Sequence, residues 1–151
     1  MRILISPWSR KLINGKENAK NYPYWAELSE KLQELGHYII QIGLYNEKLI
    51  GANECKFDLS LIEIKELSKK CDLFISVDNF IPHLLTNFCN GIVLWSVSDP
   101  QIFGYVQNIN LLKDRNYLKQ NQFTIWEEEE FNKDSHVNVY EVLKAVNSFS
   151  K

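Results

Sequence analysis

The sequence predicts an α/β fold built on a doubly wound parallel sheet. Short runs of apolar residues, typical of strands covered on both faces, alternate along the chain with amphipathic segments at helical spacing. Parallel neighbours need such crossover helices, and the crossovers are right-handed in almost all proteins. The chain has 151 residues, enough for one domain with its own core, so residues 1–151 are expected to form a single domain.

Short apolar stretches mark the predicted strands. In chain order they span residues 3–5, 37–43, 55–59, 72–77, 92–95 and 109–112. The first is expected at the centre of the sheet. The fourth is followed by an acid, an amide, a proline and a histidine, which indicate a turn into a helix. Because the carboxyl ends of parallel strands collect at one edge of a Rossmann-like sheet, ligands are expected at that edge.

The predicted helices follow from apolar residues at helical spacing. They span residues 23–35, 61–68, 80–88 and 137–146. Leu35 is the last apolar position of the first helix, and Asn90-Gly91 is expected to stop the third. Phe123, Ile125 and Trp126 are expected to pack on the sheet.

The stretch from residue 8 to residue 22 has almost no apolar periodicity. It carries several basic side chains, which predicts a long functional loop, and a disordered excursion is the alternative. The short acidic run 127–130 is expected to form a solvated surface.

Composition argues against several classes of function. The formal net charge is −2 and the chain has no block or stripe of basic residues, so nucleic-acid binding is not expected. The apolar run at the start stops after three residues, which fits neither a signal peptide nor a membrane span. Cys55, Cys71 and Cys89 form no closely spaced pair, so we expect small packed thiols, no zinc site and a cytoplasmic protein.

The predicted ligand edge collects polar side chains from three loops. They are Ser6, Ser9, Arg10, Lys11, Lys16 and Lys20 from the first loop, Asp78, Asn79 and His83 from the central turn, and Ser96, Ser98 and Asp99 from the third. Cations beside a helix start suit a di- or triphosphate, whereas a carboxylate in the same cleft usually binds sugar hydroxyls. This mixture predicts a nucleotide sugar. The alternative is an ordinary connection in which Asp78 or Asn79 only caps a helix and His83 lies on the helix surface.

Other common chemistries find no support in the motifs. The chain has neither a G-x-x-x-x-G-K-[ST] loop nor a G-x-G-x-x-G turn, so a P-loop NTPase and a nicotinamide enzyme are not expected. No cofactor or metal is therefore expected, and no catalytic residue can be assigned, because no Cys/His pair or Ser/His/Asp set stands out.

Four segments, in order along the chain, resemble a known family. Lys20-Asn21-Tyr22-Pro23 stands where that family has K-R-W-P, and residues 78–83 match its D-[ST]-G-P-x-H after a similar strand. Residues 96–100 resemble its G-P-T-D-P loop, and residues 137–146 resemble its closing helix. The family is glycosyltransferase family 9, the ADP-heptose:lipopolysaccharide heptosyltransferases, and the resemblance is to the C-terminal, nucleotide-binding half.

The resemblance implies a single half-domain of the GT-B type. Lys20 would then be the phosphate ligand and Asp78 the carboxylate on the sugar side, while His83 and the backbone amides after Asn79 would hold the diphosphate. The enzymes of this family also have an N-terminal half that binds the acceptor and supplies the catalytic base. The 151 residues correspond to the donor half alone.

Three functional hypotheses follow. In the first, the protein is a glycosyltransferase completed by a separate acceptor-binding subunit or by a homodimer whose clefts face each other. In the second, it binds or sequesters a nucleotide or nucleotide sugar without turnover. In the third, it is a Rossmann-like domain that has lost its ligand site and serves to contact a partner.

Overall fold

The computed structural model describes residues 1–149, and its centre is a six-stranded sheet in which every neighbouring pair is parallel. The strands are β1 Arg2–Ser6, β2 Tyr38–Gly43, β3 Glu54–Phe57, β4 Leu73–Val77, β5 Asn90–Trp95 and β6 Ile109–Leu112. Their spatial order is β3-β2-β1-β4-β5-β6. This is the doubly wound order, with its switch point between β1 and β4, so the predicted fold class and the central position of β1 are confirmed.

Helices cover both faces of the sheet. They are α1 Trp25–Glu34, α2 Leu61–Ser68, α3 Phe80–Leu85, α4 Pro100–Phe103 and α5 Val139–Asn147. Short 3-10 turns lie at Arg115–Tyr117, Trp126–Glu128 and Lys133–Ser135. Within residues 1–149, no helix has the length and apolar character needed to cross a bilayer.

Strand β1 shows why these short apolar runs form the centre of the fold. Ile3, Leu4 and Ile5 are all fully buried, because side chains that alternate along a strand meet a core on each face. Ile3 and Ile5 belong to the core beneath α1 and α5, and Leu4 belongs to the core beneath α2 and α3. A sheet covered in this way leaves its carboxyl edge as the open side for a ligand.

The third helix is shorter than predicted. It ends at Leu85, and Asn90-Gly91 opens strand β5 instead of stopping a helix. The glycine is there for packing, because a Cβ at Gly91 would lie 2.3 Å from Phe74 Cζ and 2.6 Å from Asn108 Oδ1.

Several apolar side chains are exposed against expectation. Leu35 lies beyond the end of α1 and is 56% exposed, while Phe123 and Ile125 are 80% and 60% exposed instead of packing on the sheet. The segment that carries Phe123 and Ile125 is held by polar contacts, so it needs no apolar burial to stay in place. Cys55 is also exposed, because β3 is an edge strand.

Candidate functional site

The loops that follow β1, β4 and β5 meet at the carboxyl edge of the sheet, as predicted. Ser9 Oγ donates to the carbonyl of Asp78 at 2.8 Å, and Ser98 Oγ donates to Asp78 Oδ2 at 2.6 Å. Ser96 Oγ donates to the carbonyl of Ala19 at 2.9 Å, which fixes the far end of the first loop. That loop is therefore ordered, and the alternative of a disordered excursion is wrong.

An ion pair between Lys20 and Asp78 lies at the centre of this edge. Lys20 Nζ is 2.7 Å from Asp78 Oδ2, and the two side chains are only 13% and 11% exposed. The ammonium also lies 3.9 Å from the centroid of the Trp126 ring. Asp78 Oδ1 has no hydrogen-bond partner among residues 1–149, so one oxygen of a nearly buried carboxylate is left as an acceptor.

Asn79 is fixed by the fold on both sides of its amide. Its Oδ1 accepts from the backbone N–H of Ile81 at 2.9 Å and so caps α3, as one of the alternatives anticipated. Its Nδ2 donates to Ser6 Oγ at 3.0 Å and to the carbonyl of Trp8 at 3.2 Å. Asn79 and Ser6 therefore join the turns after β4 and β1.

Two clefts meet at the ion pair. Each has a volume of about 450 Å³, and both are lined by a shared set of residues that we call the girdle: Lys20, Asp78, Asn79, Phe80 and Trp126. Cleft A extends from the girdle towards β2 and α2, where Leu59 and Ile64 form an apolar wall. Cleft B extends towards α3 and α4 and is lined by His83, Phe103 and Phe123, among others. The pair thus lies where two clefts of similar volume adjoin.

No profile of a known protein family matches this chain, and no curated protein does. Solved structures do match it. The family 9 glycosyl transferase from Veillonella parvula superposes with a TM-score of 0.75 over 99% of this chain and 45% of that one, at 16% identity. E. coli ADP-heptose lps heptosyltransferase II gives a TM-score of 0.70 over 98% of this chain and 46% of that one, at 15% identity.

The fold is that of half a family 9 glycosyltransferase. E. coli heptosyltransferase WaaC with ADP also matches, with a TM-score of 0.69 over 97% of this chain and 43% of that one, at 15% identity. The chain spans about half the length of these structures. At these identities the likeness concerns the fold and leaves the activity to be argued from the site.

In this family 9 fold, two acidic residues that the sequence analysis missed line cleft A. Glu47 Oε2 accepts from the backbone N–H of Leu44 at 3.0 Å, and burial raises the pKa of the Glu47 carboxyl. Asp58 has a φ of 55°, in the left-handed region that non-glycine residues seldom adopt. The available signal was the position of Glu47 just beyond β2, where doubly wound folds place the carboxylate that binds ribose.

The remaining predicted residues differ in their access to the two clefts. Ser6, Ser9 and Arg10 line cleft A, and Arg10 Nη2 binds Glu127 Oε1 at 3.1 Å. The acidic run at 127–130 is therefore not simply solvated as expected, because Glu127 closes an ion pair between two loops.

Three other predicted residues act mainly on neighbouring side chains. Ser98 is buried behind Asp78, which it orients. Asp99 caps α4 and pairs with both guanidinium nitrogens of Arg115, at 2.6 Å and 3.1 Å, which holds the pKa of Asp99 below its usual value. His83 is exposed, and its Nδ1 lies 2.9 Å from Tyr105 Oη.

A third and wider cleft adjoins cleft A. It has a volume of about 720 Å³ and shares Trp8, Ser9 and Arg10 with cleft A. Most of the basic side chains of the first loop, such as Lys11 and Lys16, line this third cleft and lie outside the girdle. Within residues 1–149, no group of three or more acidic, histidine or cysteine side chains is placed to hold a metal ion.

Proposed function

We propose that the chain binds the nucleoside diphosphate sugar of a family 9-like glycosyl transfer, with its diphosphate at the girdle. The observation that carries the proposal is the Lys20–Asp78 pair at the junction of two clefts of similar volume. A ligand that fits this shape has two bulky parts joined by a narrow anionic linker. Nucleoside diphosphate sugars have that form.

The two clefts suit different parts of such a ligand. Cleft A combines the carboxylate of Glu47, suited to ribose hydroxyls, with the apolar side chains of Leu59 and Ile64, suited to a base. Cleft B would then take the sugar. E. coli heptosyltransferase WaaC has been solved with ADP and with ADP-2-deoxy-2-fluoro heptose, which makes adenine nucleotides the first ligands to test here.

Three of the girdle residues have a defined role in this proposal. Lys20 donates to a phosphate oxygen, and Asp78 Oδ1 accepts from a sugar hydroxyl while Ser98 keeps the carboxylate oriented. Asn79 holds the turn after β4 against the turn after β1, and Arg10 lines cleft A. His83 and the amides near the start of α3 remain candidate contacts for the diphosphate.

Sugar transfer needs an acceptor and a base on the far side of the donor. We infer that a second half supplies them, whether in the same polypeptide, in a separate subunit or in a second copy of the chain. Exposed apolar side chains at the mouths of the clefts, including Leu44, Phe80 and Phe123, support a covering partner. The three free thiols of Cys55, Cys71 and Cys89 support a cytoplasmic location.

Capture of a nucleotide or nucleotide sugar without turnover is the second candidate. It is favoured by the place of the proposed ligand contacts, because Lys20, Asp78 and the linings of both clefts all belong to this chain. A donor half alone retains the binding site and lacks the opposite wall of the reaction site.

Calorimetric titration with ADP, UDP, GDP and their sugar conjugates tests the proposal. Lys20→Ala and Asp78→Asn are expected to abolish binding of the best ligand, while Lys31→Ala, which removes one partner of an exposed pair on α1, leaves it unchanged. Equal binding by all variants would refute the proposed site. Release of nucleoside diphosphate from the bound sugar conjugate, with or without added acceptor, separates a transferase from a capture module.

A further inference from the structure

Trp126 contacts Lys20 from outside the strands of the sheet and, like Asp78, lines both clefts. Its ring centroid is 3.9 Å from Lys20 Nζ, and the residue lines cleft A as well as cleft B. An ammonium over an indole face at this distance is a favourable cation–π arrangement, stronger when water is excluded. Lys20 is only 13% exposed, so this arrangement is largely shielded from water.

The turn that carries Trp126 is built around a buried lysine. The side chain of Lys119 is 4% exposed, and its Nζ donates to the carbonyl of Ile125 at 2.6 Å and to Thr124 Oγ1. Its backbone N–H donates to the carbonyl of Val97 at 2.9 Å. Burying an ammonium is costly unless its donors are satisfied, and here they are used to fix the residue just before Trp126.

The residue after Trp126 is fixed as well. Glu127 binds Arg10 through its carboxylate at 3.1 Å, and its backbone carbonyl accepts from Asn14 Nδ2 at 3.4 Å. Trp126 is therefore held on both sides by polar contacts, although it lies outside the sheet and the main helices. These contacts on both sides hold the Trp126 side chain in one orientation beside the two clefts.

We propose that Trp126 is a positioning residue that fixes the direction in which Lys20 presents its ammonium to the diphosphate. This inference rests on the function proposed above. The ammonium has three N–H donors. Asp78 Oδ2 lies 2.7 Å from the ammonium and the centre of the indole ring lies 3.9 Å from it, so two neighbours hold the ammonium of a lysine that lines both clefts. A phosphate oxygen is thereby placed at a set distance from Asp78.

The test compares Trp126→Phe with Trp126→Leu, because the two replacements are similar in size and only phenylalanine keeps an aromatic face. By calorimetry with ADP, Trp126→Phe is expected to bind within about threefold of the wild type, and Trp126→Leu about tenfold more weakly. Ile125→Ala is the matched control, since Ile125 directly precedes Trp126, is 60% exposed and lines neither cleft A nor cleft B. It should bind ADP as the wild type does.

A purely structural role for Trp126 predicts a different pattern. Both substitutions would then lower the melting temperature and weaken ADP binding equally, which would overturn the inference. In the wild type, ADP should also change the tryptophan emission, and Trp126→Phe should lose part of that change while still binding, because Trp8 also lines cleft A. If Lys20→Ala abolishes binding and Trp126→Leu does not weaken it, only this inference fails. If the wild type binds no nucleotide or nucleotide sugar, the proposed function fails with it.

Discussion

The stability of the protein should depend on the Lys20–Asp78 pair as a unit. The two side chains are 13% and 11% exposed, so removing one partner leaves the other charge unpaired and nearly buried, which costs about 3–5 kcal/mol. Removing both charges leaves no unpaired charge at this position. We predict that Lys20→Met and Asp78→Asn each lower the free energy of unfolding by about 3 kcal/mol, and that the double variant loses about 3 kcal/mol in total.

Urea unfolding of the four proteins at pH 7, followed by circular dichroism, measures this coupling of about 3 kcal/mol. The Lys31–Glu34 pair is a matched control, because its atoms are 2.8 Å apart and its side chains are 47% and 55% exposed. Lys31→Met and Glu34→Gln should show no measurable coupling, since solvent screens an exposed pair. If the losses at Lys20 and Asp78 simply add, water reaches the pair and the argument from burial is refuted.

Three further predictions concern other parts of the molecule. Burial among Tyr22 and Phe131 lowers the pKa of His136 from 6.5 to about 4. As the pH falls, His136 is therefore protonated in the unfolded state before it is protonated in the folded state. The free energy of unfolding should fall by on the order of 3 kcal/mol between pH 6.5 and about pH 4. Urea unfolding across that range measures the loss. Gly91→Ala should cost about 1–3 kcal/mol in the same assay, because the new methyl group would lie against Phe74. Burial raises the pKa of Cys89 to about 12, so a thiol reagent at pH 8 should modify Cys55 long before Cys89.

Each of these has its own control. The pH-dependent loss should shrink in His136→Gln, and an unchanged profile would assign it to other groups. For Gly91→Ala the control is Gly51→Ala, because Gly51 has a positive φ and no atom near the position of a Cβ. The loss of stability in Gly51→Ala reports backbone strain alone, and the loss in Gly91→Ala reports the steric clash. Mass spectrometry of the partly modified protein identifies which thiol reacted, and early labelling of Cys89 would contradict its burial.

Much of the fold could be predicted because its strands are covered on both faces. Ile3 to Ile5 and Leu73 to Val77 are fully or almost fully buried, and such runs are visible in the sequence without any long-range information. Asp78 could be placed for the same reason, since it follows a buried strand at the edge where ligands bind. The error at Asn90-Gly91 arose because glycine was interpreted as a local stop signal, whereas here it makes room for Phe74.

The rest of the site depends on contacts that periodicity cannot show. Trp126 reaches Lys20 through a turn fixed by the buried ammonium of Lys119, whereas the apolar residues of that segment predicted packing on the sheet. Glu47 lies in a connection after β2 that looks only polar in the sequence. Trp126 can be placed only when the sheet brings distant segments together, whereas Glu47 is marked in the sequence only by its position just beyond β2.

The neutrality of the Lys20–Asp78 pair determines how an anion is recognised. An approaching phosphate meets a cation whose field is largely cancelled by its neighbour, so little attraction acts beyond direct contact. Inorganic phosphate would place its charge beside the carboxylate without a sugar to enter cleft B. A diphosphate that carries a sugar would bring a hydroxyl for that carboxylate, so the proposed site is expected to bind a nucleotide sugar more tightly than inorganic phosphate.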